Sequence, residues 1–477
     1  MTRRNRRVVK MKQIKRGSME NADRISNLPD VIIHEIFSFL DAKDVVKTSV
    51  LAKRWRYLWT TTPNIYLDDD LFPSNEEDSP FVLFVDTLHR LYNAPKISTY
   101  VLVIRQPCNS MFTEGWVNFA IEHNVDILHV DVANFCWPIE MPSCNSVRDI
   151  ILELGGGDLL LPSPARFAML ESLSLTNVRL TAALHLNSDH CPILKNLNLD
   201  NCSGLMHLTV DCPKLVHLRV TNCYQLDQLV VCGPKLQTFA LVESFREGSS
   251  TSLANISAPI LQELTWADYF FDKCSLGMFE CLRLASVCLV LGYNEETKGP
   301  YFKNALKFFQ QLTSAETLTV QLSCFTGLSA NLELLEVLPT SIHNIHKLSL
   351  LVGHDDEYSL RGISCVLPCL SNLQTLSIHT VTNPPEEQPS ARFLNADHTG
   401  ALNNLKEVDY CGFSGEPYEM DFAKNLLENA VILRKMIVVL AGELLDCQKK
   451  KTRVVQKLLN FKTASSDATI CFQDHCS

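Results

Sequence analysis

A 21-residue period runs through the middle of this 477-residue chain. Cys191-Pro192, Cys212-Pro213 and Gly233-Pro234 recur at that spacing. Each pair is followed by L-x-x-(L/F)-x-(L/V): Leu194/Leu197/Leu199, Leu215/Leu218/Val220 and Leu236/Phe239/Leu241. A second series lies between them, Leu205/Leu208/Val210 and Leu226/Leu229/Val231. A short L-x-L alternation suits a strand with one face buried. Two such strands per period imply a coil with one strand on each side. Stacked coils bury a continuous core that no single coil can supply, so the middle of the chain reads as a solenoid.

Asn recurs at one offset after three of these strands: Asn177, Asn201 and Asn222. The expectation is a ladder in which their side chains hydrogen-bond turn backbone. Looser copies of the strand pattern cover 100–104, 127–132, 147–154, 261–266, 282–290, 318–322, 348–352 and 373–378, with helical stretches at 114–123 and 301–312. In each L-x-L triplet the middle side chain points away from the core. Ser174, Asn198 and Arg219, with His217 beside them, are therefore the candidate binding face. A merely solvated face accounts for any one of them equally well. Cys202, Cys212 and Cys223 follow strand ends and read as small buried fillers.

Residues 21–67 read as three short helices. Pro29 suits a first turn; Ile32, Ile33, Ile36, Phe37 and Leu40 fall on one helical face. Asp41 is a plausible N-cap for a second helix. Leu51, Trp55, Leu58 and Trp59 would line a third. A unit of about 45 residues buries too little surface to be comfortable alone and gains from a partner. Leu28, Pro29, Ile32, Ile36, Val50, Leu51, Trp55, Leu58 and Trp59 must be shared between its own core and a partner face. Aromatic anchors dominate small interfaces, which favours exposure of Trp55 or Trp59.

Composition sets limits. Residues 1–18 hold eight Lys or Arg and no acid, leaving 35 basic against 53 acidic residues in the rest. An acidic body argues against a large nucleic-acid face. The basic tail reads as a solvated end or a nuclear signal. No apolar run reaches the roughly 18–20 residues that span a bilayer, and no apolar segment follows the basic start as a secretory signal requires. The expected setting is the nucleus or cytoplasm, where the 18 cysteines would be reduced. There is no C-x-x-C pair, and Cys471 with His475-Cys476 is too sparse for a metal site, so no metal and no cofactor are expected.

After the repeats, 396–477 changes character: a strand at 405–410, a turn at Gly412 and Gly415, a helix at 420–430, a strand at 436–440 and a helix at 443–459. The division expected is a tail (1–20), the helical unit (21–67), an acidic linker (68–80), the solenoid (81–395) and a C-terminal domain (396–477).

The 21–67 stretch resembles an F-box. The resemblance rests on Asp23-Arg24-Ile25-Ser26, Leu28-Pro29-Asp30, Ile36-Phe37-Ser38-Phe39-Leu40, Lys43, residues 46–51, Lys53-Arg54-Trp55-Arg56, Leu58-Trp59 and Pro63. The repeats are similar to the irregular leucine-rich repeats of plant F-box proteins. Gly412-Phe413-Ser414-Gly415-Glu416 and Leu426-Leu427-Glu428-Asn429-Ala430 are similar to that family's FBD domain. The resemblance implies an α+β chain: a three-helix F-box, an irregular solenoid of about 21–26 residues per coil and a small α/β FBD-like domain. It further implies docking to a Skp adaptor, and through it to a cullin, while the repeats bind a target protein.

Two other functions compete. One is a non-catalytic repeat scaffold or small-molecule sensor that uses the F-box for assembly only. The other is an enzyme, but the chain has no G-x-S-x-G, H-E-x-x-H or P-loop. Its glycine cluster, Gly155-Gly156-Gly157-Asp158, lacks a following Lys-Ser/Thr and reads as a turn.

Overall fold

The computed structural model describes residues 28–73, 80–106, 110–133, 138–141, 143–161, 166–180, 183–246, 252–269, 273–277, 279–290, 308, 312, 314–321, 344–353, 360, 367, 370–381, 402–445 and 448–473. The basic tail, most of the stretch read as a helix at 301–312, and His475-Cys476 lie outside them.

Sixteen parallel strands form one sheet in strict chain order, from Asn64–Asp68 to Thr469–Gln473. A second sheet of five short strands runs down the other side of the central coils, from Leu184–Asn187 to Cys274–Leu276. This is the coil with a strand on each side that the doubled period implies. Register follows the period: Asn196 pairs with His217, and His217 with Thr238. Each central strand alternates buried and outward residues, so Leu197, Leu199, Leu218, Val220, Phe239 and Leu241 form continuous apolar columns. Toward both ends the coils lengthen. Asn64 pairs with Thr99, and Lys435 with Thr469. There helices replace the second strand, as in Pro80–Leu91, Ser110–Glu122, Pro417–Asn429 and Gln448–Leu459.

The C-terminal strands Glu407–Phe413, Lys435–Leu440 and Thr469–Gln473 pair in turn with the last repeat strand, Thr375–Val381. The C-terminal domain, with its helices and strands, thus extends the solenoid's sheet.

Asn177, Asn201 and Asn222 adopt left-handed backbone angles, with φ of 51°, 50° and 56°. Their own N–H groups donate to the next coil: Asn177 to Asp200 O, Asn201 to Thr221 O and Asn222 to Val242 O. The ladder therefore arises differently from the sequence expectation. Asn tolerates the left-handed region where most residues do not. Its side chain then reaches other side chains: Asn177 Nδ2 donates to Glu153, Asn201 Nδ2 to Asn177 Oδ1, and Asn222 Nδ2 to Asp200. One coil on, Glu243 takes the same conformation (φ 44°). There the buried Asp268 carboxylate accepts the N–H groups of Ser244 and Phe245.

Cys202 and Cys223 are buried, and their thiols lie against the strand-end carbonyls of Leu175 and Thr221. Ten described cysteines are free. Cys411 is disulfide-bonded, against the expectation of a wholly reduced set. Gly155 and Gly156 form a turn with φ of 55° and 90°. Among the described residues no helix is long and apolar enough to cross a membrane.

Candidate functional site

Two surfaces stand apart from the packed core. The first is the N-terminal helical unit. Its first helix, Asp30–Phe37, turns Ile33 and Phe37 inward, and both are fully buried. Its second, Ala42–Lys47, is capped by Asp41, whose side chain accepts the Asp44 N–H at 2.8 Å. The third helix of the sequence reading is replaced by two 3-10 turns, Thr48–Val50 and Leu58–Thr61. Tertiary packing decides the matter in so short a stretch.

That packing also settles the tryptophans. Trp55 is 3% exposed and Trp59 9%. Trp55 meets Phe37 edge-on, and the Trp59 indole N–H donates to Arg56 O at 3.0 Å. The expectation of an exposed tryptophan is therefore corrected: both belong to the internal core.

The outward residues are others. Ile32, Ile36 and Phe39 follow one another at helical spacing, exposed by 46%, 38% and 80%. Val31, Val50, Leu51 and Tyr57 are also exposed. Of the sequence candidates, Pro29 is exposed and Leu28 and Leu58 are half-buried. Val31 was missed because helical periodicity alone does not distinguish the faces of a helix this apolar, and Phe39 and Tyr57 because they lie in turns outside any periodic element.

This unit is joined closely to the first coil. Ser98 N donates to Pro63 O at 2.7 Å, and the Tyr92 hydroxyl to Thr62 O at 2.8 Å. The Lys43 ammonium lies 4.3 Å from the Phe72 ring centroid and donates to Leu71 O. The first part of the stretch read as an acidic linker is structured. Asp68 ends a strand, and buried Asp69 accepts the N–H groups of Arg105 and Gln106, each at 2.8 Å. Asp68, Asp69 and Asp70 bring three carboxylates together, but those backbone bonds already occupy both Asp69 oxygens.

The second surface is a groove of about 770 Å³ on the outward face of the long sheet. Rows of side chains cross its strands in register. One row runs Ser174, Asn198, Arg219, Ala240, Thr265; a neighbouring row runs Asn196, His217, Thr238, Glu263. Three of the four sequence candidates, Asn198, His217 and Arg219, line the groove. Ser174 joins them indirectly, since its hydroxyl accepts Asn198 Nδ2 at 3.0 Å. His217 Nδ1 lies 2.7 Å from the Thr238 hydroxyl. Arg219 is exposed, and its guanidinium makes no hydrogen bond or ion pair among the described residues. The sheltered Asn198 Oδ1 has no hydrogen-bond partner among the described residues. Sequence reasoning missed Thr238, Glu263 and Thr265, although Thr265 occupies the middle of a Leu264-Thr265-Trp266 triplet one coil further on.

The C-terminal turn is built around Glu419, which is 2% exposed. One carboxylate oxygen accepts Ser414 N, Ser414 Oγ and Gly415 N at 2.7–2.9 Å; the other accepts the Tyr410 hydroxyl at 3.1 Å. Burial pushes the Glu419 carboxyl up, while these hydrogen bonds pull it down. Gly415 has φ 77°, and a Cβ there would meet Val454 Cγ2 at 2.7 Å. The Gly-Phe-Ser-Gly signature is thus explained by backbone geometry and close helix packing.

Comparison with known proteins follows the same three-part layout. A family model for the F-box domain matches residues 25–65. One for the LRR repeats of the FBD-associated F-box protein At5g56370 matches 113–281, and one for FBD matches 401–438. F-box/LRR-repeat protein 25 of Arabidopsis thaliana is 31% identical over 39% of this chain and 71% of its own length. F-box/LRR-repeat protein 13 of the same plant is 26% identical over 94% of this chain and 95% of its own. Three further relatives at 30–34% identity are matched over only 40–47% of their own length.

Proposed function

Because the chain belongs to the plant F-box/LRR-repeat proteins that carry an FBD domain, we propose that it is a substrate-recognition subunit of an SCF-type ubiquitin ligase. The F-box docks a Skp adaptor, and through it a cullin. The repeats hold a target protein. The chemistry of ubiquitin transfer resides in the partners, and the working location is the nucleus or cytoplasm.

The observation that carries this reading is the run of large apolar side chains left in solvent on the N-terminal unit: Ile32, Ile36, Phe39, Val50, Leu51 and Tyr57. Clustered exposed apolar residues mark interaction sites. In this reading Pro29 and Leu28 flank the docking face, and Trp55 and Trp59 shape it from within. The close join to the first coil adds support, since a target must be held in a fixed relation to the ligase.

The groove offers Asn198, His217, Arg219 and, through Asn198, Ser174 to the target. Its volume falls within the range of small-ligand sites. Its floor, however, is polar side chains on open strands, which suits a polypeptide better than a small-molecule sensor.

The test is capture of a purified Skp adaptor by the full chain. The intact protein should retain it. The variant Phe39→Asp with Leu51→Asp should lose it while melting as the parent does. No capture by the intact chain would refute the proposal. The same docking-dead variant, used as a proximity-labelling bait, should enrich target proteins, and Arg219→Glu should reduce that enrichment.

A further inference from the structure

Opposite charges on neighbouring coils of the solenoid pair with each other. Just before the strands on one side of the groove, Lys195 meets Glu171 at 2.5 Å; on the other side, Arg283 meets Glu316 at 3.7 Å. The groove between these two ion pairs behaves differently. Four of its lining residues are ionisable: Asp200, His217, Arg219 and Glu263. Asp200 is engaged, since its carboxylate accepts the Thr221 hydroxyl and Asn222 Nδ2. His217 is tied to Thr238 at 2.7 Å. The Arg219 guanidinium and the Glu263 carboxylate are both exposed, and neither has a hydrogen bond or ion pair among the described residues.

Register explains why these two stay single. They stand on strands His217–Thr221 and Glu263–Tyr269, and the strand Thr238–Val242 between them carries no charge. Arg219 shares a row with Ala240 and Thr265, and Glu263 lies two residues before Thr265. With strands about 4.8 Å apart and residues about 3.3 Å apart along each, their backbones are separated by about 12 Å on the diagonal. Ala240, a lone methyl between Arg219 and Thr265 in that row, leaves the floor low there.

We infer that the groove holds an extended segment of the target carrying an acidic residue and, four positions away, a basic one; this rests on the reading of the repeats as the target-holding part. In an extended chain, residues four apart share a face and lie about 13 Å from one another, close to the Arg219–Glu263 diagonal. The acidic side chain meets Arg219 and the basic one meets Glu263, while the main chain between them crosses over Ala240. The same pair of charges rejects other occupants. A uniformly acidic segment or a nucleic acid is repelled by Glu263, and a uniformly basic segment by Arg219.

The test uses the full chain as bait for a phage-displayed library of random dodecapeptides. Recovered peptides should share an acidic and a basic residue four positions apart. Binding of one such peptide, made with a fluorescein label, should fall about tenfold for Arg219→Glu and for Glu263→Lys. Melting should match the parent's, because both side chains are exposed. Reversing the peptide's acidic residue to lysine should restore binding to Arg219→Glu, and reversing its basic residue to glutamate should restore binding to Glu263→Lys. A merely structural role for either residue would show no such exchange. Three results would overturn the inference: no shared sequence among the recovered peptides, recovery of peptides of one charge sign, or losses that the reversed peptides do not regain. Skp-adaptor capture, measured in parallel, separates the two readings. Failed capture by the intact chain refutes the ligase assignment and leaves the peptide result standing; intact capture with a failed peptide result refutes this inference alone.

Discussion

Trp55 packs edge-on against Phe37, their ring centroids 5.8 Å apart and their planes at 81°. The pair holds the first helix against the 3-10 turns, so it supports the exposed apolar residues around it without being one of them. Trp55→Ala should cost about 3–5 kcal/mol, the range for deleting a large buried aromatic. Phe39→Asp, at an 80% exposed site, should leave stability within about 0.5 kcal/mol of the parent. Chemical denaturation separates the two. A small effect for Trp55→Ala would mean that the N-terminal unit does not depend on this contact.

The left-handed turn at Asn201 makes a backbone prediction. Asn201→Gly should be tolerated, because glycine reaches φ 50° freely and loses only one side-chain bond to Asn177. Asn201→Val should cost about 1–3 kcal/mol, since a β-branched residue is strained there. Native-state hydrogen exchange at the Asn177 and Asn222 amides should show faster opening for valine and near-parental rates for glycine.

What the sequence revealed tracks what repeats. A strict period fixes register, so the strand columns through Leu197, Leu218 and Phe239 could be read directly, and so could Asn198 and Arg219 between them. The two surfaces differ in this respect. On the N-terminal unit the apolar residues fall all round short segments, and only tertiary contacts separate Ile33 and Phe37 from Ile32 and Ile36. Asp69 and Asp268 were invisible for another reason. Each satisfies backbone N–H groups 23 to 37 positions away in sequence, and no local pattern announces that service. The Asn ladder was legible as a recurrence but not as a conformation, because its cause is a φ angle.

Glu419 organises the C-terminal turn through contacts that sequence did not disclose. Glu419→Ala leaves the half-buried Ser414 and Gly415 N–H groups and the buried Tyr410 hydroxyl without their acceptor, and should cost about 2–4 kcal/mol. Glu419→Gln keeps one acceptor oxygen and should cost less. Because Tyr410, Gly415 and Val454 meet at this turn, the alanine variant should also expose the helix Gln448–Leu459 to faster proteolysis. Equal protease resistance in parent and variant would show that the helix is held by other contacts.

His89 gives the fold a pH dependence with a definite sign. Its ring stacks on Phe119 at 3.8 Å, and its Nε2 lies 3.0 Å from the buried Tyr100 hydroxyl. Burial, with His123 nearby, lowers its pKa to about 3. Burial also pushes the Tyr100 phenol well up, so that hydroxyl stays protonated and donates to the neutral imidazole. The folded state therefore binds no proton at His89 until about pH 3, while the unfolded chain begins to bind one near pH 6.5. Stability from this site is complete above that range and falls as pH drops through it, by about 1 kcal/mol between pH 7 and pH 5.5. In His89→Phe that part of the slope should vanish, although the Tyr100 hydroxyl loses its partner and the variant is weaker at pH 7. Parallel denaturation series at the two pH values measure it, and an unchanged slope in His89→Phe would assign the acid sensitivity to other groups.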